Sequence, residues 1–284
     1  MSARASLGGV QVGDGLPVVV MGALNVSPES FYCGSVFADL DDLLRAAGRM
    51  VEGGASVLDV GARASAPYRR TEISEAEEAW RLGRAVEVLA GKLGVPISVD
   101  TFRAGPARVA LDAGATIIND VSGLTADRAM GGLVARAGAG LIVMASPRAS
   151  AGSPGESPIS AVLGLLEESL ALAGGSGIAA ERIVVDPGIG FFRGAGRPWF
   201  EWDCEVLARL GELLRLGRPL CVGVSRKSFL GALLGQDDPG ERLVGSLAAT
   251  AVAVLNGAHL VRTHDVVETR HAVRVAQAIR QFQG

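Results

Sequence analysis

Eight short apolar segments, rich in Val, Ile and Leu, recur along this chain of 284 residues and alternate with longer segments of helical periodicity. Strands that read as continuous apolar runs are typical of parallel sheets built from βαβ units, where both faces are buried. The predicted strands are 18–25, 56–61, 96–101, 116–121, 141–146, 182–187, 219–224 and 259–264, and the predicted helices are 40–52, 74–90, 105–113, 128–137, 161–174, 201–215, 240–256 and 266–282. Eight strand–helix units predict an α/β fold, a closed (β/α)8 barrel of the TIM type, with residues 1–284 as one domain.

A doubly wound sheet is the alternative α/β architecture. That fold carries a glycine-rich phosphate loop, GxGxxG, in the turn after its first strand. Here the turn runs from Asn25 to Gly34 and has no such pattern. The barrel is therefore the favoured architecture.

Charge and cysteine usage exclude several classes of function. The net charge is −3 without a basic cluster, which argues against nucleic acid as a partner. The chain has no uninterrupted run of about 18 apolar residues, so we expect no membrane span. Three scattered cysteines, Cys33, Cys204 and Cys221, suit neither a disulfide framework nor a CxxC metal site. These features predict a cytoplasmic protein.

Polar residues stand where the predicted strands end. They are Asn25, Asp100, Thr101, Asn119, Asp120, Asp186, Ser225, Arg226, Lys227, Arg262, His264 and Asp265. Any one strand-end Asp or Asn most simply caps the next helix, and Arg226 can simply brace its loop. A parallel barrel, however, directs all its strand ends to one mouth. Acids and amides suit the edge of a nitrogen heterocycle, and cations suit phosphate, so we predict a heterocycle beside an anionic leaving group.

Six motifs at successive strand ends carry a resemblance to a known family. They are Met-Gly-Ala-Leu-Asn-Val-Ser-Pro-Glu-Ser-Phe at 21–31, Ser-Val-Asp-Thr at 98–101, Ile-Asn-Asp-Val at 118–121, Asp-Pro-Gly-Ile-Gly-Phe at 186–191, Ser-Arg-Lys-Ser at 225–228 and Arg-Thr-His-Asp at 262–265. In this order they resemble the dihydropteroate synthase family, pterin-binding barrels of folate biosynthesis. Such enzymes join p-aminobenzoate to a hydroxymethyl-dihydropterin diphosphate and release pyrophosphate.

The resemblance implies a role for each matching residue. The implied pterin-binding residues are Asp100, Asn119, Met144, Asp186, Gly223 and Lys227, and those implied for pyrophosphate are Asn25, Arg262 and His264. The implied aryl-amine-binding residues are Phe31, Ser65, Phe191 and Ser225. Lys227, Arg262 and His264 are the implied catalytic residues, and Asn25 is the implied contact to a Mg²⁺ cofactor. A strand-end His bonded to the backbone is the plain alternative for His264. Family members are typically homodimers.

The loop after the second strand departs from the family pattern. The typical Gly-Gly-Glu-Ser-Thr-Arg-Pro-Gly is here Gly-Ala-Arg-Ala-Ser-Ala-Pro-Tyr at 61–68. Ser65 keeps a hydroxyl, Ala66 replaces the usual Arg, and Arg63 stands where a Glu is usual. Bulk is also added after strand six, where Phe192 and Arg193 replace Gly and Lys. The pterin and diphosphate parts of the pattern are intact, and the amine part is altered.

Several functions remain open at this point. The same reaction could use a larger aryl amine, such as a ribosylated p-aminobenzoate in a methanopterin-type pathway. A pterin-binding paralogue without synthase activity is a second alternative. Pterin-dependent methyltransferases share the barrel but need no diphosphate site, and Lys227, Arg262 and His264 together argue against them. The pterin-facing acids and amide argue against a phosphosugar enzyme.

Overall fold

The computed structural model describes residues 2–27, 39–63, 73–147, 157–193 and 198–282. Within them the strands are β1 (Arg4–Leu7), β2 (Val10–Gly13), β3 (Val19–Asn25), β4 (Val57–Gly61), β5 (Ile97–Asp100), β6 (Ile117–Asp120), β7 (Gly140–Met144), β8 (Ile183–Asp186), β9 (Cys221–Gly223) and β10 (Leu260–Thr263). The helices are α1 (Leu40–Gly53), α2 (Glu75–Ala90), α3 (Ala104–Asp112), α4 (Met130–Ala137), α5 (Pro158–Gly175), α6 (Trp199–Ala208), α7 (Ser228–Leu234), α8 (Leu243–Leu255) and α9 (Val266–Arg280).

Strands β3 to β10 form the predicted (β/α)8 barrel. Their order in the sheet is β8-β7-β6-β5-β4-β3-β10-β9, and all neighbours pair in parallel. The two ends of this sheet meet where Val185 pairs with Leu220, and the Val185 amide donates to the Pro219 carbonyl at 3.0 Å. The barrel is therefore closed between β8 and β9.

The inside of the barrel changes character along its axis. Its lower part is an apolar layer made of Val19, Met21, Val57, Ile117, Ile142, Val184, Cys221 and Leu260, all buried. Above this layer, strand register brings polar residues level with each other. Asn25 pairs with Gly61, Gly61 with Asp100, and Asp100 with Asn119. The apolar layer therefore forms the floor of a polar mouth at the carboxyl ends of the strands.

A β-hairpin before the first barrel strand covers the amino-terminal end of the barrel, which we did not predict. Antiparallel β1 and β2 are joined by Gly8 and Gly9, both at positive φ as tight hairpin turns require. Leu7 packs with the apolar layer and lies against Gly140, where a Cβ would come within 2.8 Å of its side chain. Strands of only four residues with one buried face carry too weak a pattern to find in sequence.

Two helical predictions need correction. The predicted helix 201–215 is α6 followed by a separate 3-10 helix, Leu210–Leu216, because the α-helix ends at Ala208. The predicted helix 240–256 begins instead with a 3-10 turn, Pro239–Arg242, before α8. The sequence analysis does not predict helix α7, because a segment of seven residues is too short to show a helical period.

Helix α5 has 18 residues, a mean hydropathy of 1.2 and therefore the length and composition of a membrane-spanning helix. Its apolar run is interrupted by Glu167 and Glu168. Val162, Leu165 and Leu166 are buried in the core that lies between the strands and the outer helices. Packing against the barrel accounts for this composition.

Candidate active site

The centre of the site is a buried ion-pair cluster under the barrel mouth. Arg262, on the last strand, donates from Nε to Oδ2 of Asp59 at 2.6 Å and from a terminal nitrogen to Oδ2 of Asp100 at 3.3 Å. Asn119 donates from Nδ2 to the same Asp59 oxygen at 3.1 Å. Three of the predicted residues, Asp100, Asn119 and Arg262, are thus brought together around a fourth.

Asp59 is a site residue that the sequence reasoning missed. It is fully buried in the middle of β4 and its Oδ1 has no hydrogen-bond partner within the described residues. A signal was present, since an isolated Asp interrupts the apolar run Val57–Gly61 at a position that faces inward. Because the sequence prediction considers strand ends alone, it does not include a residue in the middle of a strand. A buried carboxylate requires a partner, and Arg262 supplies the charge.

The charged groups in the cluster shift one another's pKa values. Burial raises the pKa of Asp100, and the positive charge of Arg262 opposes that rise. Burial lowers the pKa of Arg262, but the carboxylates of Asp59 and Asp100 outweigh it and raise that pKa overall. Arg262 therefore stays charged, and its guanidinium is held by acids from two different strands.

Lys227 and Asp186 form a second charged group at the mouth. The Lys227 ammonium donates to the carbonyl of Ile189 and lies 5.0 Å from the centre of the Phe191 ring. Burial lowers the pKa of Lys227, and the carboxylates of Asp186 and Asp203 oppose this change. Burial raises the pKa of Asp186, which Lys227 lowers in return. The pair places a cation beside a carboxylate at the edge of the mouth.

Gly223 keeps space open between these two groups. A Cβ at this position would lie 3.7 Å from Cβ of Arg262 and 4.0 Å from Nζ of Lys227. Met144, 3% exposed, ends β7 beside Asp186 in strand register. Cys221, in the layer below, is buried, and burial raises the pKa of its thiol. Met144 and Gly223 thus present apolar surface and open space next to the polar groups.

His264 and Ser225 form a third contact at the mouth. The Ser225 hydroxyl accepts from the His264 amide at 3.2 Å and lies 3.0 Å from Nδ1 of the His264 ring. Either tautomer of the ring satisfies this contact, and we expect the one in which the hydroxyl donates to Nδ1 and the ring proton stays on Nε2. Burial, with the charges of Arg262, Arg226 and Lys227, lowers the pKa of His264 to about 3. The ring is therefore a neutral hydrogen-bond donor.

Several other strand-end residues have structural roles. Arg226, buried at φ 55°, forms a two-point ion pair with Asp265 and donates to the carbonyls of Pro239 and Gly240. It braces the loop, as the plain interpretation expected. Asp120 accepts from the Ser122 amide within its own turn. Thr101 donates to buried Glu78 on α2 and so faces away from the mouth.

Arg63, the unusual cation of the second loop, is held in a buried cluster. Its Nε lies 3.6 Å from Oε2 of Glu78, and its guanidinium stacks 4.1 Å from the ring centre of Phe102. Arg103 donates to the same Glu78 oxygen at 3.0 Å. The Glu78 carboxylate therefore holds two arginines at once. Arg63 is thus committed to Glu78 and Phe102.

The added bulk after β8 is absorbed by helix α6. Phe192 is buried and stacks on Trp202 with 4.8 Å between ring centres, and Arg193 lies 3.7 Å from the ring centre of Trp199. Phe191 is half-buried under Lys227 at the mouth. Phe31 and Ser65, expected to bind the amine, lie outside the described residues.

The residues present fit a magnesium ion held mainly by substrate. Asn25 is half-buried at the end of β3, and its Oδ1 accepts from the Ser27 amide at 2.8 Å with a second lone pair remaining. The described residues contain no group of three His, Cys, Asp or Glu side chains able to hold a metal. Mg²⁺ commonly takes its ligands from substrate phosphates and water with one or two from protein, and a single amide oxygen suits that pattern.

Comparison with known proteins identifies the class of this barrel. The family described as pterin binding enzyme matches residues 21–264, so the chain belongs to that family. Dihydropteroate synthase from Synechocystis is 38% identical over 92% of this chain and 89% of its own length. Escherichia coli dihydropteroate synthase is also 38% identical, over 91% of this chain and 90% of its own.

Solved structures give the same result. The dihydropteroate synthase of Coxiella burnetii, in complex with pteroic acid, superposes with a TM-score of 0.86 at 34% identity and covers 98% of this chain and 99% of its own. The Xanthomonas albilineans enzyme with 4-aminobenzoic acid has a TM-score of 0.86 at 33% identity, with 99% of each chain covered. The particular family members that this chain resembles are therefore dihydropteroate synthases.

Proposed function

We propose that this protein is a transferase of the dihydropteroate synthase type that acts in folate biosynthesis. Its substrates are 6-hydroxymethyl-7,8-dihydropterin diphosphate and p-aminobenzoate. The observation that carries the proposal is the meeting of Asp100, Asn119 and Asp186 with the cations Lys227 and Arg262 at one barrel mouth. The relatives named dihydropteroate synthase support the same reaction.

The pterin ring binds to the acids and amide of the mouth in this proposal. Asp186 accepts from the amidine-like edge of the ring, and a two-point bond between a charged and a polar group is among the stronger hydrogen bonds in proteins. Asp100 and Asn119 contact the opposite edge. Lys227 donates to the polar edge, while Met144 packs against the ring face and Gly223 leaves the space that the ring needs.

In the reaction, the nitrogen of the aryl amine forms a bond to the methylene carbon of the pterin. The bond from that carbon to the diphosphate oxygen breaks, its electron pair leaves with pyrophosphate, and the amine proton passes to solvent or to the leaving group. Orientation and stabilisation of the departing charge are the main catalytic effects for such a step. Arg262 and the Nε2 proton of His264 supply donors to the pyrophosphate.

Magnesium belongs to the same proposal. Asn25 is the protein residue that would contact the ion. When bound, Mg²⁺ neutralises charge on the diphosphate and makes pyrophosphate a better leaving group. Arg262 and His264 would contact the diphosphate oxygens from β10, the strand next to β3.

The amine is expected to bind above Phe191 and Ser225, with Phe31 and Ser65 completing its site. Ser225 contacts His264 twice, so it could bind an amine carboxylate only if its hydroxyl proton turned from Nδ1 of His264 to that carboxylate. Arg63 is held by Glu78, and the sequence has Ala66 where the family pattern has an arginine. The test must therefore distinguish p-aminobenzoate from a larger amine, such as ribosylated p-aminobenzoate, as the second substrate.

The decisive experiment measures pyrophosphate release from the dihydropterin diphosphate with Mg²⁺, with and without p-aminobenzoate. The product is identified by mass. Release that depends on p-aminobenzoate and yields dihydropteroate supports the proposal. Tight binding of the diphosphate without such turnover contradicts it and points to another amine or to a binding protein without synthase activity. Omission of Mg²⁺ tests the cofactor in the same assay.

We also propose a homodimer formed through the last two helices, in a single-domain cytoplasmic protein. Val266 and Val273 of α9 pack on the barrel, but Val275 is 61% exposed and Ile279 is 50% exposed. On adjacent α8, Val244 is 77% exposed. Exposed apolar side chains on two helices that pack together suit an interface. Sedimentation equilibrium should give twice the chain mass, and Val244→Lys should shift it to the monomer.

A further inference from the structure

One peptide group at the mouth is held from both sides by charged residues. The amide of Gly190 donates to Oδ1 of Asp203 at 2.7 Å, and the carbonyl of Ile189 accepts from Lys227. These two atoms belong to the same peptide bond, the one that joins Ile189 to Gly190. Asp203 on α6 and Lys227 at the start of α7 are therefore connected through a single rigid, planar unit.

The local backbone has little freedom to move from this position. Gly190 has φ +83°, and a Cβ there would lie 3.0 Å from Cδ of Lys227. Gly190 is therefore required both for the left-handed turn and for the close approach of the Lys227 stem. Asp203 itself is fully buried beside Trp202, which stacks on Phe192. The carboxylate is thus fixed before any substrate binds.

Burial of Asp203 needs an explanation beyond stability. Its Oδ2 has no hydrogen-bond partner within the described residues, and burying a carboxylate with an unpaired oxygen is unfavourable. Burial raises the pKa of Asp203 to about 6, while the Gly190 amide and the charges of Lys227 and Arg193 oppose this rise. The carboxylate also favours the charged form of Lys227, whose pKa burial lowers.

We propose that Asp203 is a positioning residue for Lys227, acting through the peptide group between Ile189 and Gly190. The hydrogen bond to Gly190 turns the Ile189 carbonyl toward the mouth, and that carbonyl holds the ammonium where the pterin edge arrives. The negative charge of Asp203 keeps the ammonium protonated. This inference rests on the proposed function, in which Lys227 binds the pterin.

The first test is a double-mutant cycle on ligand affinity. The ligand is the dihydropterin diphosphate with Mg²⁺, measured by calorimetry with wild type, Asp203→Ala, Lys227→Met and the double variant. We expect Asp203→Ala to weaken binding about tenfold or more, and to have no further effect once Lys227 is replaced, because coupled residues are not additive. Glu201→Ala, an exposed acid on the same helix, is the matched control and should bind like wild type.

Each outcome of this cycle decides the proposal. Wild-type affinity in Asp203→Ala overturns it, and so do additive losses in the double variant, because these would mean a structural role for Asp203. No binding by wild type would instead refute the proposed function. If Lys227→Met binds the ligand as tightly as wild type, Lys227 has no role in binding. That result would also refute the positioning proposal.

Asp203→Asn provides a second test if Asp203→Ala does not fold. The amide retains an acceptor for Gly190 but removes the charge, so affinity at pH 7 should stay within about threefold of wild type. The groups that face Lys227 are Asp186 of β8, Asp203 of α6, Cys221 of β9 and Arg262 of β10. With one carboxylate removed, the alkaline limb of kcat/KM should move to lower pH by about half a unit or more. An unchanged pH profile overturns the charge effect, and a large loss of affinity at pH 7 overturns the peptide-mediated effect.

Discussion

Asp59 and Arg262 form a buried ion pair, with 2.6 Å between Oδ2 of the carboxylate and Nε of the guanidinium, that links the second and last strands of the barrel under its mouth. Asp59 is fully buried, while the side chain of Arg262 is 24% exposed. The cation is therefore the more accessible partner of the two. In the proposed function, the remaining donors of Arg262 bind the diphosphate.

Asp59→Asn should destabilise the protein and misplace Arg262. Removing one partner of a buried ion pair typically costs about 3–5 kcal/mol, because the other charge is left uncompensated. We expect a loss in that range, reduced somewhat since Asp100 still pairs with Arg262. Urea unfolding measures it. Asp112→Asn, an exposed acid at the end of α3, is the control, and a loss no larger than that control's would show that the pair is unimportant.

Asp186→Asn should leave the fold intact and weaken pterin binding. A charge-assisted pair to the ring is replaced by a neutral one, so the loss should be about 2–3 kcal/mol. Calorimetry with the bare pterin gives the value directly. Unchanged affinity would remove Asp186 from the pterin site.

Arg262→Gln should distinguish binding of the diphosphate end of the substrate from binding of its pterin end. The variant keeps a hydrogen-bond donor for Asp59 but loses the positive charge that binds phosphate oxygens. We expect affinity for the dihydropterin diphosphate to fall at least tenfold more than affinity for the bare pterin, a difference of about 1.4 kcal/mol. Equal losses for both ligands would mean that Arg262 only supports the barrel.

His264 should not titrate between pH 5 and 8. Its pKa is lowered to about 3 by burial and neighbouring cations, so the folded protein keeps the ring neutral. The unfolded chain binds a proton near pH 6.5, and the stability contribution of His264 is therefore present above that pH and is lost as pH falls toward 3. Ring ¹⁵N shifts should show a proton on Nε2. Ser225→Ala should produce a mixture of ring tautomers, and an unaltered spectrum would contradict the Ser225 contact.

His259→Ala should loosen the amino-terminal hairpin. His259 accepts from the Leu220 amide at 3.1 Å through Nδ1 and donates from Nε2 to Asp14 at 3.0 Å. Its loss leaves a buried amide unpaired, which costs about 1–3 kcal/mol. Hydrogen exchange should accelerate in β1 and β2. His271→Ala, an exposed residue of α9, is the matched control, and equal exchange in both variants would contradict the assigned role.

Strand-end reasoning placed several of the predicted residues at one mouth because a parallel barrel leaves few alternatives. Once eight strands are placed, residues such as Asp100 and Asn119 must lie at one mouth, and their register confirms that they are neighbours. The same reasoning could not distinguish candidate site residues from residues that only support a loop. Arg226 and Lys227 are adjacent in the chain, yet Arg226 is bound to Asp265 and Lys227 donates to the Ile189 carbonyl at the mouth.

Asp59 and Asp203 were missed for different reasons. Asp59 lies within a strand, and its inward direction follows from the two-residue period of a strand. A prediction based on strand ends does not include such a position. Asp203 lies on a helix, 13 residues beyond the glycine that it contacts. A helix position of this kind has no periodic or motif signal.

The sequence alone determined the barrel, its mouth and its family, because strand periodicity and strand-end motifs are local properties of the chain. Tertiary structure decided which charges pair. Arg262 is 203 residues from Asp59 in the chain, and His264 is 39 residues from Ser225. Such pairs form only when barrel closure brings distant strand ends within hydrogen-bond distance and burial removes the water that would otherwise solvate each charge.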